Sequence, residues 1–469
     1  MLLNAGAPMV RTEQDFLGEV TISNTHLYGV NTVRGIENLS VSFRDLTHVP
    51  AFCIAFAQCK WAAALANHDH GLINVAQRDA IVKACVEIAA GQHFDSLKID
   101  LMEGSGGTST NMNFNEVIAN RAQQLLGGDL GVYDLVHPND HVNRSQSTND
   151  VYPAAMKIAM QALLSQLVAE LQLLAQSLRS KASAFADVLH LGRTCLQDAQ
   201  PMRLGHLFGG YAVLIERCTE ALLDVRQHLL VLPLGGTAIG TGFGAPPGYR
   251  VSVFARLATV AGTTYLPPDD SFDAMQNLDT FSRVSSELRT CAVALGKIAS
   301  DLVLLSSGPA AGLGELRLPE VQAGSSIMPG KVNPVVPMTM VQIGFAVVGN
   351  DTCVAQAVHA GQLEINHFEP VVADRIFESL QLLTRGVHLF RSRCVDGIVA
   401  DKITNSRHVL ESMAVATALL PRLGYATIGR YARQSVVESR PLIDILDEAG
   451  VLSKTQALDL IEAAASPSF

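Results

Sequence analysis

The feature that most constrains the fold of this 469-residue chain is a run from Ala154 to about Leu189 that contains neither glycine nor proline. Apolar side chains recur along it at steps of three and four, the period of a helix with one apolar face: Met156, Met160, Leu163, Leu167, Leu171, Leu174 and Leu178. A second segment repeats the pattern, largely in steps of seven: Leu278, Phe281, Leu288, Leu295, Leu302 and Leu305. Both patterns predict long helices, and three more are predicted around residues 206–231, 338–360 and 371–393.

The composition supplies more apolar material than a single surface can hide. Apolar residues make up 48% of the chain and charged residues only 17%, so interfaces between copies are expected as well as cores. We predict a mainly α-helical protein whose long central bundle packs on itself and on other copies of the chain. In chain order we expect an N-terminal mixed helical domain (1–142), the long-helix bundle (143–395) and a small C-terminal helical domain (396–469) with loops at Gly424 and Gly450.

Charge and cysteine usage exclude several classes of protein. The net charge of −10, without any basic cluster, argues against a nucleic-acid partner. The eight cysteines form no CxxC pair and lie mostly in apolar helical stretches, which is typical of buried free thiols in a reducing cytoplasm. The opening segment lacks the features of a signal peptide, and no window of about 20 residues looks free enough of charge, proline and glycine to span a membrane. We therefore expect a cytoplasmic protein without a membrane partner.

The segment Gly324–Pro334 (GSSIMPGKVNP) is the strongest functional signal in the chain. Its two glycines and two prolines predict a shaped, mobile loop. The loop carries two adjacent hydroxyls, one cation and one amide, on Ser325, Ser326, Lys331 and Asn333. Such a combination is suited to closing over a small anion.

Three more segments are polar and rich in small residues: 104–113 (GSGGTSTNMN), 143–150 (NRSQSTND) and 192–199 (GRTCLQDA). Their hydroxyls and amides supply neutral hydrogen-bond donors, and glycine lets a backbone approach a ligand. Taken singly, each is compatible with an ordinary loop, and the second could simply cap the helix that follows it. Together with Gly324–Pro334 they predict a shared site for a small polyanion.

All four segments resemble, in the same order, the corresponding blocks of the aspartase/fumarase superfamily. Tyr28-Gly29 near the start and the segments 306–309 (SSGP) and 361–366 (GQLEIN) also resemble family blocks, so the likeness covers nearly the whole chain. Within the superfamily, Gly107–Asn111 and Gln146–Asp150 look closest to the aspartate ammonia-lyases. The resemblance implies three largely helical domains and a homotetramer that pools its central helices, with each active site drawn from three subunits.

The resemblance also implies roles for eight residues. Ser325 would be the general base that removes the proton from C3 of the substrate. The other seven would bind the substrate: Thr108, Ser147, Thr148, Asn149, Thr194, Lys331 and Asn333. Lys331 and Asn333 would hold one carboxylate, and Asn149 and Thr194 would contact the amine. The remaining three would bind the carboxylate on which an enolate-like dianion develops, where preorganised donors matter most.

Two positions depart from the family pattern. Cys195 stands where the pattern has His, and Met338 stands where it has Glu. In the family these two form a hydrogen-bonded pair at the leaving-group side of the site, so we infer that Cys195 and Met338 lie close together and alter specificity. Expelling hydroxide as water needs an acid such as this pair, whereas an ammonium group already carries its proton. The departure counts against hydratase chemistry and is compatible with an ammonia-lyase.

We accordingly expect a carbon–nitrogen lyase of amino acid metabolism. It would eliminate ammonia, or a related amine, from L-aspartate or an aspartate-like acid to give fumarate or another unsaturated acid. The alternatives are a lyase for a different substituted succinate, a fumarate hydratase and a non-catalytic scaffold. A nucleophilic Cys195 would need a base such as His190 or His206 beside it. The implied mechanism requires no metal or organic cofactor, although divalent-ion activation is possible by family analogy.

Overall fold

The computed structural model of the chain describes residues 10–466. Residues 1–9 belong to the opening segment for which no signal peptide is expected, and they lie outside the described residues. The first helices along the chain are α1 (Val30–Leu39), α2 (Pro50–Asp69), α3 (Val75–Ala89), α4 (Thr108–Leu125), α5 (Thr148–Ala184), α6 (Leu204–Gln227), α7 (Tyr249–Ala261) and α8 (Ser271–Gln276). They are followed by α9 (Asp279–Leu305), α10 (Val335–His359), α11 (Glu369–Arg393), α12 (Lys402–Glu411), α13 (Val415–Leu423), α14 (Tyr425–Glu438), α15 (Leu442–Glu448) and α16 (Lys454–Ala464). The prediction of a mainly helical fold is confirmed.

The long helices follow the apolar pattern of the sequence. Helices α5, α6, α9, α10 and α11 begin and end close to their predicted bounds. Every residue of the two apolar stripes is buried, with no side chain more than 9% exposed. One prediction was wrong in detail, because α5 ends at Ala184 and Leu189 already belongs to a strand.

Helix α5 is long and apolar enough to cross a membrane by those two criteria, so the expectation that no such window exists was too strict. Among the described residues no other helix meets both criteria. Of its most apolar window, 61% is buried within the protein. Such burial is typical of a core helix, and the buried stripe accounts for it.

The strands in the described part of the chain form three short antiparallel pairs. They are β1 (Val10–Asp15) with β2 (Gly18–Ser23), β3 (Leu189–Thr194) with β4 (Gln197–Arg203), and β5 (Leu316–Arg317) with β6 (Val399–Ala400). In the second pair Leu189 lies opposite Arg203 and Thr194 lies opposite Gln197. The polar segment 192–199 is therefore the tip of a β-hairpin.

The chain divides into two compact units, each assembled from three stretches of sequence. The first unit comprises Met1–Leu167, Ala221–Arg289 and Ala346–Leu382. The second unit comprises Val168–Glu220, Thr290–Phe345 and Leu383–Phe469. The division into domains 1–142, 143–395 and 396–469 follows chain order and remains a prediction.

A cluster of aromatic side chains forms part of the core of the first unit. Phe56 stacks on Phe114 with ring centroids 4.5 Å apart, and Phe52 meets Tyr152 edge-on at 5.3 Å. All four rings are buried. Because Tyr152 lies in the first turns of α5, these contacts hold the start of α5 against α2 and α4.

In the second unit the C-terminal helices pack around Leu189 and Leu191 of β3. The core residues that they contribute include Val409, Val415, Leu419, Ile428, Leu442, Leu446 and Ile461. Gly424 and Gly450 separate helices with φ angles of 74° and 66°, which confirms the two predicted loops. The base of the β3–β4 hairpin is thus anchored in a core, whereas its tip is exposed.

Candidate active site

The start of α5 is fixed by hydrogen bonds between consecutive polar residues. The Ser147 N–H donates to Asp150 Oδ1 at 2.9 Å, and the Asn149 N–H donates to Ser147 Oγ at 3.2 Å. The other oxygen of Asp150 accepts from the N–H groups of Gly235 and Thr237, at 2.9 and 3.2 Å. Asp150 is fully buried, and burial raises its pKa to about 6 against these backbone donors. Ser147 and Asp150 therefore cap α5, which is the alternative that the sequence offered for this segment.

Thr148, the first residue of α5, is buried and takes part in a chain of side-chain hydrogen bonds. Asn111 Nδ2 donates to Thr148 Oγ1 at 3.0 Å and to Asn143 Oδ1 at 3.1 Å. Lys60 Nζ donates to Asn111 Oδ1 at 2.6 Å and to Asn143 Oδ1 at 3.0 Å. Lys60 is fully buried, and burial lowers its pKa to about 7 although the nearby Asp150 opposes the shift.

Asn149 has one half of its side-chain amide occupied. Its Nδ2 donates to the carbonyl oxygen of Ala238 at 2.9 Å. The bond orients the amide, so that Oδ1 is left as an acceptor. An acceptor at this position suits a substrate ammonium group, which has donors only.

Thr108 opens α4 and is exposed. Gly107 before it has φ of 88°, and a Cβ added there would lie 2.6 Å from Cδ2 of Tyr152. Glycine is therefore needed both for the backbone conformation and for the contact with α5. Because Tyr152 belongs to the first turns of α5, this contact sets the position of Thr108 relative to Ser147 and Thr148.

Thr194 and Cys195 lie at the exposed tip of the β3–β4 hairpin. Cys195 and Leu196 have φ angles of 52° and 62°, the left-handed conformation of a tight hairpin turn. His190, one of the two bases considered for a nucleophilic Cys195, is buried and its Nδ1 is hydrogen-bonded to Asn405 Oδ1 at 2.9 Å. His190 is therefore occupied in the core and gives no support for a mechanism in which it deprotonates Cys195.

An ion pair fixes the strand that leads into this turn. Arg193 contacts the carboxylate of Glu315 through both terminal nitrogens, at 3.0 and 2.5 Å. His408 Nδ1 lies 2.7 Å from Glu315 Oε1. Burial raises the pKa of Glu315, but the hydrogen bonds with Arg193 and His408 outweigh it and hold the pKa below its usual value. Thr194 and Cys195 thus follow a residue whose side chain is held firmly in place.

The Ser325 hydroxyl accepts hydrogen bonds from two backbone N–H groups of its own loop. The N–H of Ile327 donates to Ser325 Oγ at 3.2 Å, and the N–H of Met328 donates to it at 3.0 Å. Two N–H groups aimed at one oxygen stabilise negative charge on that oxygen. The side chain itself remains partly accessible in the chain.

The two ends of the Ser325 loop are joined by further hydrogen bonds. The Gly324 N–H donates to the carbonyl oxygen of Lys331 at 2.7 Å, and Asn333 Nδ2 donates to the carbonyl oxygen of Gly324 at the same distance. A Cβ at Gly324 would lie 2.6 Å from the backbone nitrogen of Asn333, so only glycine fits. The Asn333 amide supports the loop, while the Lys331 side chain is exposed.

Met338 lies in the first turn of α10 and is 44% exposed. Together with Ser300 and Val303 of α9 it lines a surface cavity of about 350 Å³. Cys195 lies on the hairpin and Met338 on this helix, and their proximity in the assembled protein remains a prediction.

The candidate residues fall into two groups. The first unit contains Thr108, Ser147, Thr148 and Asn149, and the second contains Thr194, Cys195, Ser325, Lys331, Asn333 and Met338. Within the first group Ser147, Thr148 and Asn149 lie at the start of α5, and Thr108 opens α4, whose Gly107 packs against Tyr152 of α5. Within the second group the structure distributes the residues over a hairpin, a loop and a helix, and their convergence on one substrate remains a prediction.

Lys60 is the polar residue of this region that sequence reasoning missed. It lies in α2 and is the one charged residue in the mostly apolar run AFCIAFAQCKWAAALAN. A single lysine on the buried face of an apolar helix is the signal that could have found it, because such a charge is rarely buried without a partner.

Comparisons with known proteins agree with the resemblance noted in the sequence. A protein-family model described as Lyase matches residues 18–349. Aspartate ammonia-lyase from Helicobacter pylori strain J99 is 44% identical over 453 residues, which cover 97% of each chain. Aspartate ammonia-lyase from Bacillus subtilis is 41% identical over 456 residues, which cover 97% of this chain and 95% of that one.

Solved structures with the same fold cover the chain equally well. The fumarate lyase:delta crystallin from Brucella melitensis, determined with bound cobalt, matches with a TM-score of 0.95 and 41% identity over 98% of this chain and all of that one. Class II fumarase from Schistosoma mansoni matches with a TM-score of 0.92 and 30% identity, again over 98% of this chain. The helical fold implied by the sequence resemblance is confirmed.

Proposed function

The chain belongs to the lyase family defined by this match, the aspartase/fumarase superfamily, and we propose that it eliminates ammonia from L-aspartate to give fumarate. The observation that carries the proposal is the environment of Ser325, whose Oγ receives two backbone N–H groups. The curated relatives named as aspartate ammonia-lyases support the choice of substrate.

Ser325 is the general base of this mechanism. A serine hydroxyl is a poor base at its ordinary pKa, but the N–H groups of Ile327 and Met328 stabilise its alkoxide. Ser325 Oγ takes the proton from C3 of aspartate, and the electrons of that C–H bond move onto the adjacent C4 carboxylate. The resulting enolate-like dianion collapses to form the C2–C3 double bond. The C2–N bond breaks in the same step, and ammonia leaves.

The start of α5 binds the carboxylate that becomes the dianion. Thr148 and Ser147 supply hydroxyls there, and the positive end of the helix dipole favours the added charge. Thr108 contributes a third hydroxyl from the start of α4. Donors already in place cost nothing to reorganise when the charge develops, so they lower the barrier more than they strengthen substrate binding.

The second unit supplies the remaining contacts. Lys331 holds the other carboxylate, assisted by Asn333, which also keeps the loop closed on itself through Gly324. Thr194 contacts the amine together with the free Oδ1 of Asn149. Closure of the loop over the substrate excludes water and strengthens each of these contacts.

The leaving group is ammonia rather than water because of what the site lacks. At positions 195 and 338 a thiol and a thioether replace the His and Glu of the family pattern, and neither can serve as a strong acid. Hydroxide must be protonated as it leaves, whereas the ammonium group of aspartate already carries the proton it needs. Cys195 and Met338 then shape the pocket around the amine.

We infer that the chain works as a cytoplasmic homotetramer whose active sites combine residues of several subunits. Support comes from apolar side chains left exposed on the long helices, among them Val293 and Leu304 of α9 and Phe345 of α10, which is 72% exposed. A mixture of a Ser325→Ala variant and a Thr148→Val variant, unfolded and refolded together, should recover part of the lost activity. No recovery would argue against sites shared between subunits.

The direct test of the reaction is the release of fumarate from L-aspartate, followed by ultraviolet absorbance. We expect turnover with L-aspartate and none with D-aspartate, and no formation of fumarate from L-malate. Rapid malate dehydration would contradict the role given to positions 195 and 338. If aspartate fails but N-substituted aspartates react, the enzyme is a lyase for a different amine, the second candidate that these two side chains favour.

A further inference from the structure

Lys60 is expensive to bury and is not paired with a carboxylate. Its side chain is fully enclosed in the first unit, and no ion pair among residues 10–466 includes it, although the nearby Asp150 favours its charged form. Its partners are the two neutral amide oxygens of Asn111 and Asn143. A lysine kept in such a place has a use that an apolar residue of the same size would not provide.

The ammonium group dictates how the Asn111 amide is oriented. The protonated side chain of Lys60 has donors only, so the atom of Asn111 that faces the ammonium Nζ is the oxygen. The amide nitrogen of Asn111 therefore faces the other way, where it donates to Thr148 Oγ1 at 3.0 Å. With the amide rotated by half a turn, two donors would meet at Lys60 and a carbonyl oxygen would face Thr148.

The orientation of Asn111 in turn decides what the Thr148 hydroxyl can do. A hydroxyl that receives a hydrogen bond from Asn111 keeps its own proton for another acceptor. Within the described residues no protein group takes that proton. A carbonyl oxygen in place of the Asn111 nitrogen would instead draw the proton inward, away from any ligand.

We propose that Lys60 is a positioning residue that, through Asn111, keeps the Thr148 hydroxyl proton directed at the substrate carboxylate. The inference rests on the proposed function only in naming that carboxylate; the direction of the hydrogen bonds is a property of the protein alone. Lys60 does not touch the substrate; it acts through the side chains of Asn111 and Thr148, which lie between them.

The decisive variant is Asn111→Asp. It preserves the shape of the side chain and strengthens the contact with Lys60, but it replaces the N–H that faces Thr148 with an oxygen acceptor. We expect kcat to fall by about 10²-fold, the effect of losing one donor to the developing charge, with KM changed by less than about threefold. Thermal denaturation should show a folded protein, because the stronger contact with Lys60 offsets the lost hydrogen bond from Asn111 Nδ2 to Asn143 Oδ1.

Asn143→Asp is the matched control. It places the same new carboxylate beside Lys60 and keeps the oxygen that Lys60 and Asn111 use, while its other side-chain atom faces the carbonyl oxygen of Gln146 and not Thr148. We expect it to retain kcat within about threefold. Equal losses of kcat in the two variants would overturn the proposal, because the added charge alone would then explain them.

A third comparison separates positioning from a merely structural role. In a Thr148→Val background the hydroxyl is gone, so Asn111→Asp should lower kcat no further. Lys60→Met removes one of the two contacts that orient the Asn111 amide and leaves the one with Asn143. It should lower kcat about tenfold in the parent chain and have little effect in the Thr148→Val background. Fully additive losses of kcat would mean that Lys60 and Asn111 act by another route.

Neutron diffraction of the unaltered protein tests the inference without any turnover. Deuterons should be found on Lys60 pointing at both amide oxygens, and the Thr148 deuteron should point away from Asn111. A Thr148 deuteron directed at Asn111 would overturn the proposal even if the protein is an active lyase. Failure to convert aspartate, with the predicted deuterons in place, would instead count against the proposed function alone.

Discussion

The start of α5 and the loop Gly324–Pro334 differ in what holds their polar groups in position. At the start of α5, Thr148 is bonded to Asn111, which is bonded to Lys60, and all three side chains are buried. In the loop, the hydrogen bonds to Ser325 Oγ from the described residues come from the backbone of the same loop, and Ile327, two residues on, is 90% exposed. Charge stabilisation requires donors fixed by the core, whereas proton abstraction requires a base that can be reached and then covered.

This contrast predicts that Ser325 matters for turnover and hardly at all for folding. Ser325→Ala should lower kcat by about 10²–10⁴-fold, the usual contribution of a general base. Urea titration should find the free energy of unfolding within about 0.5 kcal/mol of the parent, because the loop is exposed. Ser326→Ala, the neighbouring hydroxyl, is the control and should keep most of the activity; an active Ser325→Ala would exclude the assigned base.

Gly324→Ala should damage the loop almost as much without removing any functional group. The new methyl group would collide with the backbone of Asn333 and Lys331, so the two ends of the loop must separate. A displacement of about 1 Å costs on the order of 10² in rate. At Gly330, where φ is 79° and a Cβ would meet open space, alanine strains the turn without a collision. If Gly330→Ala is the more harmful change in steady-state assays, close packing at Gly324 is not what shapes the loop.

A comparison of two asparagines tests the contrast in stability. Asn111→Ala removes the buried partner of Lys60 and Thr148 and should lower the free energy of unfolding by about 2–4 kcal/mol, since each orphaned group costs about 1–3 kcal/mol. Asn333→Ala removes one partly exposed hydrogen bond and should cost about 1 kcal/mol or less. Denaturant titration of both variants measures the difference, and similar values would remove the distinction drawn between core and loop.

The smallest effect is expected for the paired change Cys195→His with Met338→Glu. Neither residue supplies a group that the elimination of ammonia requires, so kcat/KM for L-aspartate should stay within about tenfold of the parent. The restored acid should at the same time raise any activity on L-malate. Steady-state kinetics on both substrates provide the check. A large gain on aspartate would show that the two soft side chains direct the enzyme to a different substrate.

The sequence predicted the long helices well because burial along a helix leaves a periodic trace within a short window. It failed at the end of α5, since the pairing of Leu189 with Arg203 depends on residues that the window does not contain. The same limit applies to the site. The need for donors around Ser325 followed from its chemistry, but Lys60 is 51 residues from Asn111 and 83 from Asn143, so only the structure reveals their contact.

The exposed turn of the β3–β4 hairpin has a practical consequence. Of the eight cysteines, Cys195 alone is exposed, Cys353 is half-buried and the remaining six are buried. A thiol-reactive fluorophore or spin label should therefore attach selectively at the hairpin tip of the natural chain, without any engineered cysteine. The labelled residue lies two positions after Arg193, whose side chain is anchored to Glu315. Because this strand is held in place, a change in the signal of the label would report movement of neighbouring groups rather than rotation of the strand. Because Cys195 is also proposed to line the pocket around the amine, slower labelling of this thiol in the presence of aspartate would show that the substrate covers the turn.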